Sequence, residues 1–246
     1  MALYCRLSGR DKRDTNQKSN KKKNNNMSKN CKGYMGDQIG KLGPAVGSRW
    51  KGKMIYRAYQ KFVHDPKSEH QQLVRARFTL LTQLGRTFYQ AAKLGFFDLA
   101  RQRQETEGNC FVSKNYPNVT GTTPDNVSID PTKIMVSLGN LPGVVFSSSI
   151  GTSTPGTLTV TVTDVMSGVM DASDEDNIYV FAYCPDAGNG VLSAPARRTD
   201  GATLSVRYPS SWSGLEVHVY GFVMGGIAKT MGVASNSEYV GHAELG

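Results

Sequence analysis

The stretch at residues 157–162 reads Thr157-Leu158-Thr159-Val160-Thr161-Val162, a strict alternation of hydroxylated and apolar side chains. Alternate residues of a β-strand point to opposite faces of a sheet, so this pattern predicts a strand with one buried face. Similar short runs, separated by turn residues, recur through residues 121–246. The candidate strands are residues 133–137, 144–148, 157–163, 178–184, 202–208, 216–223 and 237–241. This number and spacing of strands predict an antiparallel β-sandwich of immunoglobulin or fibronectin-like kind.

A helical region precedes the strands. Ser68 follows the turn signal Asp65-Pro66 and can cap the free amide groups of a helix start. Apolar residues then recur at helical spacing, which predicts one amphipathic helix over residues 68–93. Gly95 ends this helix, and a shorter second helix is expected to end near Gly108. The apolar face of the first helix consists of Val74, Phe78, Leu81, Leu84, Phe88 and Ala92. The predicted fold class is therefore α+β.

A glycine-rich segment, residues 36–53, precedes the helices. A phosphate-binding loop would need a strand before it, a helix after it and, in its nucleotide-binding version, a Gly-Lys-Ser/Thr ending. The segment does not fit that pattern. It favours a hairpin or an extended packing segment with Trp50 and Tyr56 as apolar anchors. Together with the helices it forms a predicted second region, residues 35–120, between an N-terminal arm and the β-rich domain.

The formal net charge of +9 is concentrated near the N-terminus of the 246-residue chain. Residues 1–67 hold 17 basic and 4 acidic side chains, whereas residues 108–246 hold 6 basic and 12 acidic ones. Residues 1–34 have little to bury, which predicts a disordered basic arm. A flexible polycation can neutralise phosphates, so nucleic-acid binding through residues 1–67 is one hypothesis. Its main cations would be Lys21, Lys22, Lys23, Lys51 and Lys53.

A second explanation of the arm is equally open. Runs of Lys and Asn arise when A-rich noncoding DNA is translated, and Met27 and Met35 are both plausible start sites. The arm would then be a mis-annotated start. Because residues 1–34 carry a net charge of +8, a chain that begins at Met35 would retain a net charge of only +1. The nucleic-acid hypothesis therefore depends largely on whether these residues are translated.

The sequence predicts no catalytic residues, no metal site and no cofactor. The densest carboxylate group is Asp171, Asp174, Glu175 and Asp176. It lacks the Gly and the terminal Glu of a helix-loop-helix calcium site, so a solvated turn is expected. The histidines are His64, His70, His218 and His242. His218 has no acid or nucleophile nearby in the sequence, so no catalytic triad can be proposed. The four cysteines are scattered without metal-ligand spacing and are expected to be free thiols.

Exposed aromatic side chains on a sandwich can bind sugars, which makes three residues candidates for a ligand-facing surface. They are Tyr208, Trp212 and Tyr220, and at least two of them are expected to be buried instead. No stretch approaches the apolar length needed to span a bilayer, and no signal peptide is seen. The expected location is the cytoplasm or the inside of an assembled particle.

Several separated segments, in the same order, carry a resemblance to a known family. The segments are residues 40–47 with 50–52, residues 66–78 with Gln71, Arg75, Arg77 and Phe78, and residues 94–96, 109–115, 128–143 and 217–241. Together they resemble an uncharacterised family of Bacteroidota proteins, domain-of-unknown-function family 6266. Its members begin a few residues before the glycine-rich segment, so the resemblance implies a start at Met27 or Met35. The family has no established activity and implies no mechanism.

Three functions are weighed from these features. The favoured one is a non-catalytic structural or interaction protein, whose partner is another copy or another protein. In its most concrete form the chain is a subunit of a phage-like or other assembled particle. The alternative is a nucleic-acid-binding protein that uses the basic N-terminal arm. An enzyme is least favoured, because the sequence supplies no positioned base, nucleophile or metal.

Overall fold

The computed structural model describes residues 29–30, 37–62, 65–166, 168–200, 203–228 and 230–246. The chain divides into two compact units, Met1–His64 and Asp65–Gly246, which are called unit 1 and unit 2 below. The glycine-rich segment lies in unit 1, and the helices and the β-rich region lie in unit 2. None of the helices in the described ranges is both long enough and apolar enough to cross a membrane.

Unit 1 contains an antiparallel meander in the order β1-β2-β3-β4. Its strands are β1 Lys29–Asn30, β2 Gln38–Leu42, β3 Ala45–Trp50 and β4 Lys53–Ala58. Only Lys51 and Gly52 separate β3 from β4, and both have positive φ, 44° and 82°. Positive φ at both central residues is the requirement of a type I′ hairpin turn, which glycine satisfies without strain. The hairpin predicted for the glycine-rich segment is confirmed.

Four helices open unit 2: α1 Glu69–Thr87, α2 Tyr89–Gly95, α3 Phe97–Arg103 and α4 Glu107–Asn115. Ser68 caps α1 as predicted, because its Oγ accepts a hydrogen bond from the Gln71 amide at 3.4 Å. The single helix predicted over residues 68–93 is wrong, since Phe88 (φ −83°, ψ 5°) separates α1 from α2. The amide of Phe88 still donates to Leu84 and its carbonyl still accepts from Ala92. The apolar residues therefore keep their helical spacing across Phe88, so the sequence pattern does not reveal the interruption.

The strands of unit 2 are β5 Val119–Thr120, β6 Ser128–Ile129, β7 Val145–Thr154, β8 Thr157–Asp164, β9 Asn177–Cys184, β10 Asn189–Leu192, β11 Ala196–Arg197, β12 Thr203–Arg207, β13 Glu216–Met224 and β14 Glu238–Glu244. One sheet has the order β10-β9-β13-β14, with β11 also paired to β9, and a second has the order β12-β8-β7. β5 pairs with β6. One-turn 3-10 helices lie at Tyr116–Asn118, Pro131–Lys133, Arg198–Asp200 and Ser210–Trp212. Every named strand pair is antiparallel, so the α+β class is confirmed, while the immunoglobulin or fibronectin-like arrangement stays a prediction.

The strand predicted at residues 133–137 is wrong, because side chains satisfy its backbone instead of a neighbouring strand. The amide of Met135 donates to Asn115 Oδ1 at 2.8 Å. The amide of Val136 donates to Ser237 Oγ at 3.0 Å. The other six predicted strands overlap β7, β8, β9, β12, β13 and β14.

Two hydrophobic clusters hold unit 2 together. One includes side chains from both of the larger sheets, among them Val160 of β8 and Val219 of β13. The other joins the helices to the opposite face of the five-stranded sheet and includes Phe88 and Phe181. Residues 178–184 of β9 contribute side chains to both clusters, because alternate side chains of a strand point to opposite faces of the sheet. Burial of a large apolar side chain contributes about 1.5–3 kcal/mol, so these clusters supply the main stabilisation of unit 2.

Candidate functional site

The three aromatic side chains considered for sugar binding lie in the core of unit 2. Trp212 and Tyr220 are 0% exposed and Tyr208 is 8% exposed. Trp212 ends a one-turn 3-10 helix and packs in the hydrophobic cluster that includes Val160 and Val219. The Tyr220 hydroxyl donates to the Pro131 carbonyl at 2.8 Å. A ligand at the surface cannot stack on buried rings, so these residues do not form a ligand-facing surface.

The carboxylate group at residues 171–176 is not wholly a solvated turn, because Asp176 is buried. Asp176 Oδ2 lies 3.2 Å from Arg198 Nε, and both side chains are at most 1% exposed. The same carboxylate accepts from the amides of Ser173 and Gly226. Arg198 also donates to the carbonyls of Gly143, Val165 and Pro142. The pair therefore fastens several loops together and is structural.

The histidines that looked isolated in the sequence partly come together on β13 and β14. His218 pairs with His242 in the register, and their ring centroids are 6.2 Å apart. His218 Nδ1 lies 3.0 Å from the Tyr239 hydroxyl, and His242 Nε2 lies 4.0 Å from Glu216 Oε1. The sequence could not show this grouping, because it depends on a cross-strand register with a bulge between Val219 and Tyr220.

The Tyr239–His218 pair is not an activated nucleophile. Burial raises the pKa of the Tyr239 hydroxyl above its usual value. Burial also lowers the pKa of His218, against the raising effect of Glu216 and Asp130. Both side chains are therefore neutral near pH 7, and a hydrogen bond joins the tyrosine hydroxyl to the imidazole. Within the ranges that the structure describes, no three His, Cys, Asp or Glu side chains are grouped to hold a metal.

Acidification is expected to destabilise the wild-type protein more than the His218→Gln variant. The unfolded imidazole takes up a proton near pH 6.5, whereas the folded one, with its lowered pKa, stays neutral to lower pH. The stabilising contribution is complete above the unfolded pKa and is lost as the pH falls through it towards the folded pKa. Gln keeps a hydrogen-bonding side chain beside Tyr239 but does not titrate. Urea unfolding at about pH 7.5 and pH 5.5 measures the difference, and equal pH sensitivity of the two proteins would contradict it.

A groove with a volume of about 740 Å³ lies between α1 and α4. Phe78 and Tyr116 border it with ring centroids 5.8 Å apart, and Gly85 and Gly108 leave it open. Phe78 was expected on the buried face of the first helix, but it is 51% exposed. The correction follows from the groove, which leaves the side chain of Phe78 half uncovered near the middle of α1.

The cations proposed for nucleic-acid binding divide into two sets. Lys21, Lys22 and Lys23 lie outside the described residues. Lys51 lies in the turn between β3 and β4, and Lys53 is the first residue of β4. Both are exposed.

Lys53 shares one face of the unit 1 sheet with other basic and apolar residues. Cross-strand partners point to the same side of a sheet, and the register pairs Lys41 with Val46, Val46 with Arg57 and Trp50 with Lys53. We call this side the basic face. Its side chains include Lys41, Val46, Trp50, Lys53, Ile55 and Arg57.

The unit 1 sheet has no hydrophobic core among its described residues. Within residues 37–62 only Gly47 is buried. An ideal Cβ at Gly47 would lie 1.9 Å from the Gln38 carbonyl oxygen, so that burial reflects close backbone approach. Trp50 and Tyr56, expected as buried anchors, are 48% and 53% exposed. The other large exposed apolar side chains of this segment are Ile39, Leu42, Ile55, Tyr59 and Phe62. The correction has a physical cause, because β2, β3 and β4 form a single layer and residues 37–62 add no second one.

Charges on this sheet are unbalanced. Residues 37–62 contain six basic side chains and a single acidic one, Asp37. Asp37 pairs with Arg49 at 3.4 Å. The Lys41 ammonium lies 3.9 Å from the centroid of the Tyr59 ring. Across the part of the chain that the structure describes, Lys53 and Arg57 form no ion pair with a carboxylate. The basic face thus combines uncovered apolar surface with uncompensated positive charge.

Comparison with known families gives one match. The model of DUF6266, described as a family of unknown function, matches residues 36–241. No curated protein and no solved structure matches the chain. The match begins at the glycine-rich segment of unit 1 and ends within β14, so it spans both units.

Proposed function

We propose, for a chain that belongs to the DUF6266 family of unknown function, that the protein is a non-catalytic structural or interaction protein. The observation that carries the proposal is the uncovered sheet of unit 1, where Trp50 and Ile55 on the basic face are each about half exposed. Contiguous exposed apolar surface marks an interaction site in a natural protein. The binding element is therefore unit 1, and unit 2 is the stably packed body of the protein.

The energetics of an isolated sheet support a binding role. A small sheet without a packed face is marginally stable in water. Trp50 and Ile55 are about half exposed, so covering each with a partner would contribute about half of the 1.5–3 kcal/mol of full burial, roughly 1 kcal/mol. β4 is also the outer strand of the meander, so its outer edge has backbone groups that a partner strand could pair. A partner would complete both the apolar face and the hydrogen-bonding edge.

In its most concrete form the proposal makes the chain a self-associating subunit of an assembled particle, with unit 2 folded as a β-sandwich. The Tyr239–His218 pair, the most enzyme-like arrangement among the described residues, is held neutral by burial. The raised pKa of the Tyr239 hydroxyl disfavours its ionised, nucleophilic form, which supports a binding role over a catalytic one.

Light scattering across a concentration series tests self-association. The wild-type chain is expected to form oligomers, and Ile55→Asp is expected to weaken them about tenfold or more, because a charge replaces buried apolar surface. Met170→Asp is the matched control, since Met170 is 86% exposed in unit 2. A wild-type protein that stays monomeric at every concentration would count against self-association. Oligomers that form equally well with Asp at position 55 would show that the unit 1 sheet is not the contact.

Nucleic-acid binding is the second candidate, and one observation favours it. Lys41, Lys53 and Arg57 lie on the same face as the half-exposed ring of Trp50. Cations beside an exposed aromatic ring are the combination that nucleic-acid-binding sheets use.

A further inference from the structure

We infer that the basic face of unit 1 binds single-stranded nucleic acid, with Trp50 stacking on a base and Lys53 and Arg57 contacting phosphates. The inference rests on the proposed function, in which the unit 1 sheet is the binding surface. It differs from binding by an N-terminal polycation, because it assigns the ligand to a folded surface with a defined aromatic residue. It also specifies that the nucleic acid is single-stranded.

Charge complementarity requires an anionic ligand on this face. Lys41 and Arg57 flank Val46 from the two neighbouring strands, which places their backbones about 10 Å apart. Lys53 lies on the same strand as Arg57 and on the same side, about 13 Å away. The single carboxylate of residues 37–62 is engaged by Arg49. Three cations on one face of a small sheet create a positive potential that attracts an anionic ligand.

The aromatic residue selects a single strand over a duplex. Trp50 is paired in register with Lys53, so its ring lies beside a phosphate-binding cation. A base can stack on a protein ring only when it is not already stacked within a double helix. Ile55, 45% exposed on the same face, offers a further apolar contact to a base or sugar. Tyr59 is less available, because the Lys41 ammonium lies over its ring.

An acidic protein surface is the competing occupant. Residues 65–246 contain 13 basic and 17 acidic side chains, so unit 2 of a second copy is only weakly anionic. That small excess of negative charge gives no reason for an exposed indole beside Lys53. Nucleic acid uses both features at once, since its phosphates meet the cations and its bases meet the ring.

The test uses the full-length chain and a fluorescein-labelled oligothymidylate of about 12 nucleotides, within the usual site size for such surfaces. Anisotropy reports binding, and tryptophan emission reports contact. The chain has two tryptophans, of which Trp212 is 0% exposed, so quenching of the emission reports Trp50. Binding with quenching is expected. Lys41, Lys53 and Arg57 would make three phosphate contacts. A plot of the logarithm of affinity against the logarithm of salt concentration should then have a slope of about −2.

Variants assign the effect to residues. Trp50→Ala is expected to weaken binding about fivefold to a hundredfold, the usual loss for one stacked base. The double variant Lys53→Gln/Arg57→Gln is expected to weaken binding and to flatten the salt slope towards about −1. Lys93→Gln removes an exposed lysine of unit 2 and is the matched control, with no change expected. The double variant keeps the test decisive if the Trp50 substitution perturbs unit 1.

The outcomes separate the inference from the proposed function. Binding that quenches Trp50 and weakens in both variants supports the inference. Binding without quenching, or binding unchanged in both variants, overturns it and assigns the nucleic acid to another part of the chain. Equal affinity for a duplex of the same length overturns the single-strand assignment. If the oligonucleotide does not bind but the chain self-associates, the inference fails and the proposed function stands. If neither occurs, both fail.

Discussion

Replacing Arg198 with Met is expected to lower the free energy of unfolding by about 3–5 kcal/mol, because it leaves the buried Asp176 carboxylate without its counter-charge. The loss also removes the donors to Pro142, Gly143 and Val165. These carbonyls would then be left without that partner in a poorly solvated site. A protein of ordinary stability, about 5–15 kcal/mol, would lose a large share of it.

Urea unfolding monitored by circular dichroism measures the effect. Arg197→Met is the matched control, because Arg197 is the exposed neighbour and a surface substitution usually changes stability by less than about 0.5 kcal/mol. Combining Arg198→Met with Asp176→Asn should lower the free energy of unfolding by less than the sum of the two single losses, because no buried charge is then left without a partner. Similar midpoints for the Arg198 and Arg197 variants would show that the buried pair does not fasten the loops.

Phe88→Ala is expected to lower the free energy of unfolding by about 3–5 kcal/mol, since the side chain is 0% exposed and its removal leaves a cavity. The ring lies at the junction of the helices and the five-stranded sheet. Its centroid is 4.8 Å from that of Phe181, 4.9 Å from that of Tyr183 and 5.7 Å from that of Phe111. The loss should therefore loosen α1 and α4 from the sheet together.

The adjacent residue supplies the control for this substitution. Tyr89 is 56% exposed, so Tyr89→Ala should cost much less than Phe88→Ala in the same urea experiment. Amide hydrogen exchange adds a regional readout, because protection in α1 and α4 should fall most in the Phe88 variant. Equal costs for the two substitutions would contradict the assignment of Phe88 to the junction.

The strands were the most predictable part of the fold. Alternation in residues 157–162 follows from burial of one face, and Leu158, Val160 and Val162 are indeed buried. The run at residues 133–137 was also predicted as a strand, but its backbone amides donate to the side chains of Asn115 and Ser237. The local sequence cannot reveal partners that are so distant along the chain. The apolar spacing around Phe88 also hid the interruption between α1 and α2, because the hydrogen bonds of Phe88 to Leu84 and Ala92 keep the helical period there.

The candidate sites were less predictable, because they depend on which neighbours the fold supplies. Asp176 looked like its solvated neighbours until Arg198, 22 positions later, proved to be its partner. His218 and Tyr239 meet only through strand register. Trp50 looked like an anchor, since an aromatic residue among glycines is usually buried, but the meander provides nothing to cover it. The charge excess near the N-terminus was visible in the sequence, whereas its arrangement beside Trp50 on one face required the register of β3 and β4.

Acrylamide quenching of tryptophan emission, on a dilute monomeric sample, tests most directly whether unit 1 presents an uncovered surface. Two populations of tryptophan emission are expected. One is quenched readily and disappears in Trp50→Phe, and the other, from the buried Trp212, is protected. If the isolated monomer shows only protected emission and Trp50→Phe leaves the quenching unchanged, the sheet is already covered within the chain, and the proposed binding surface does not exist.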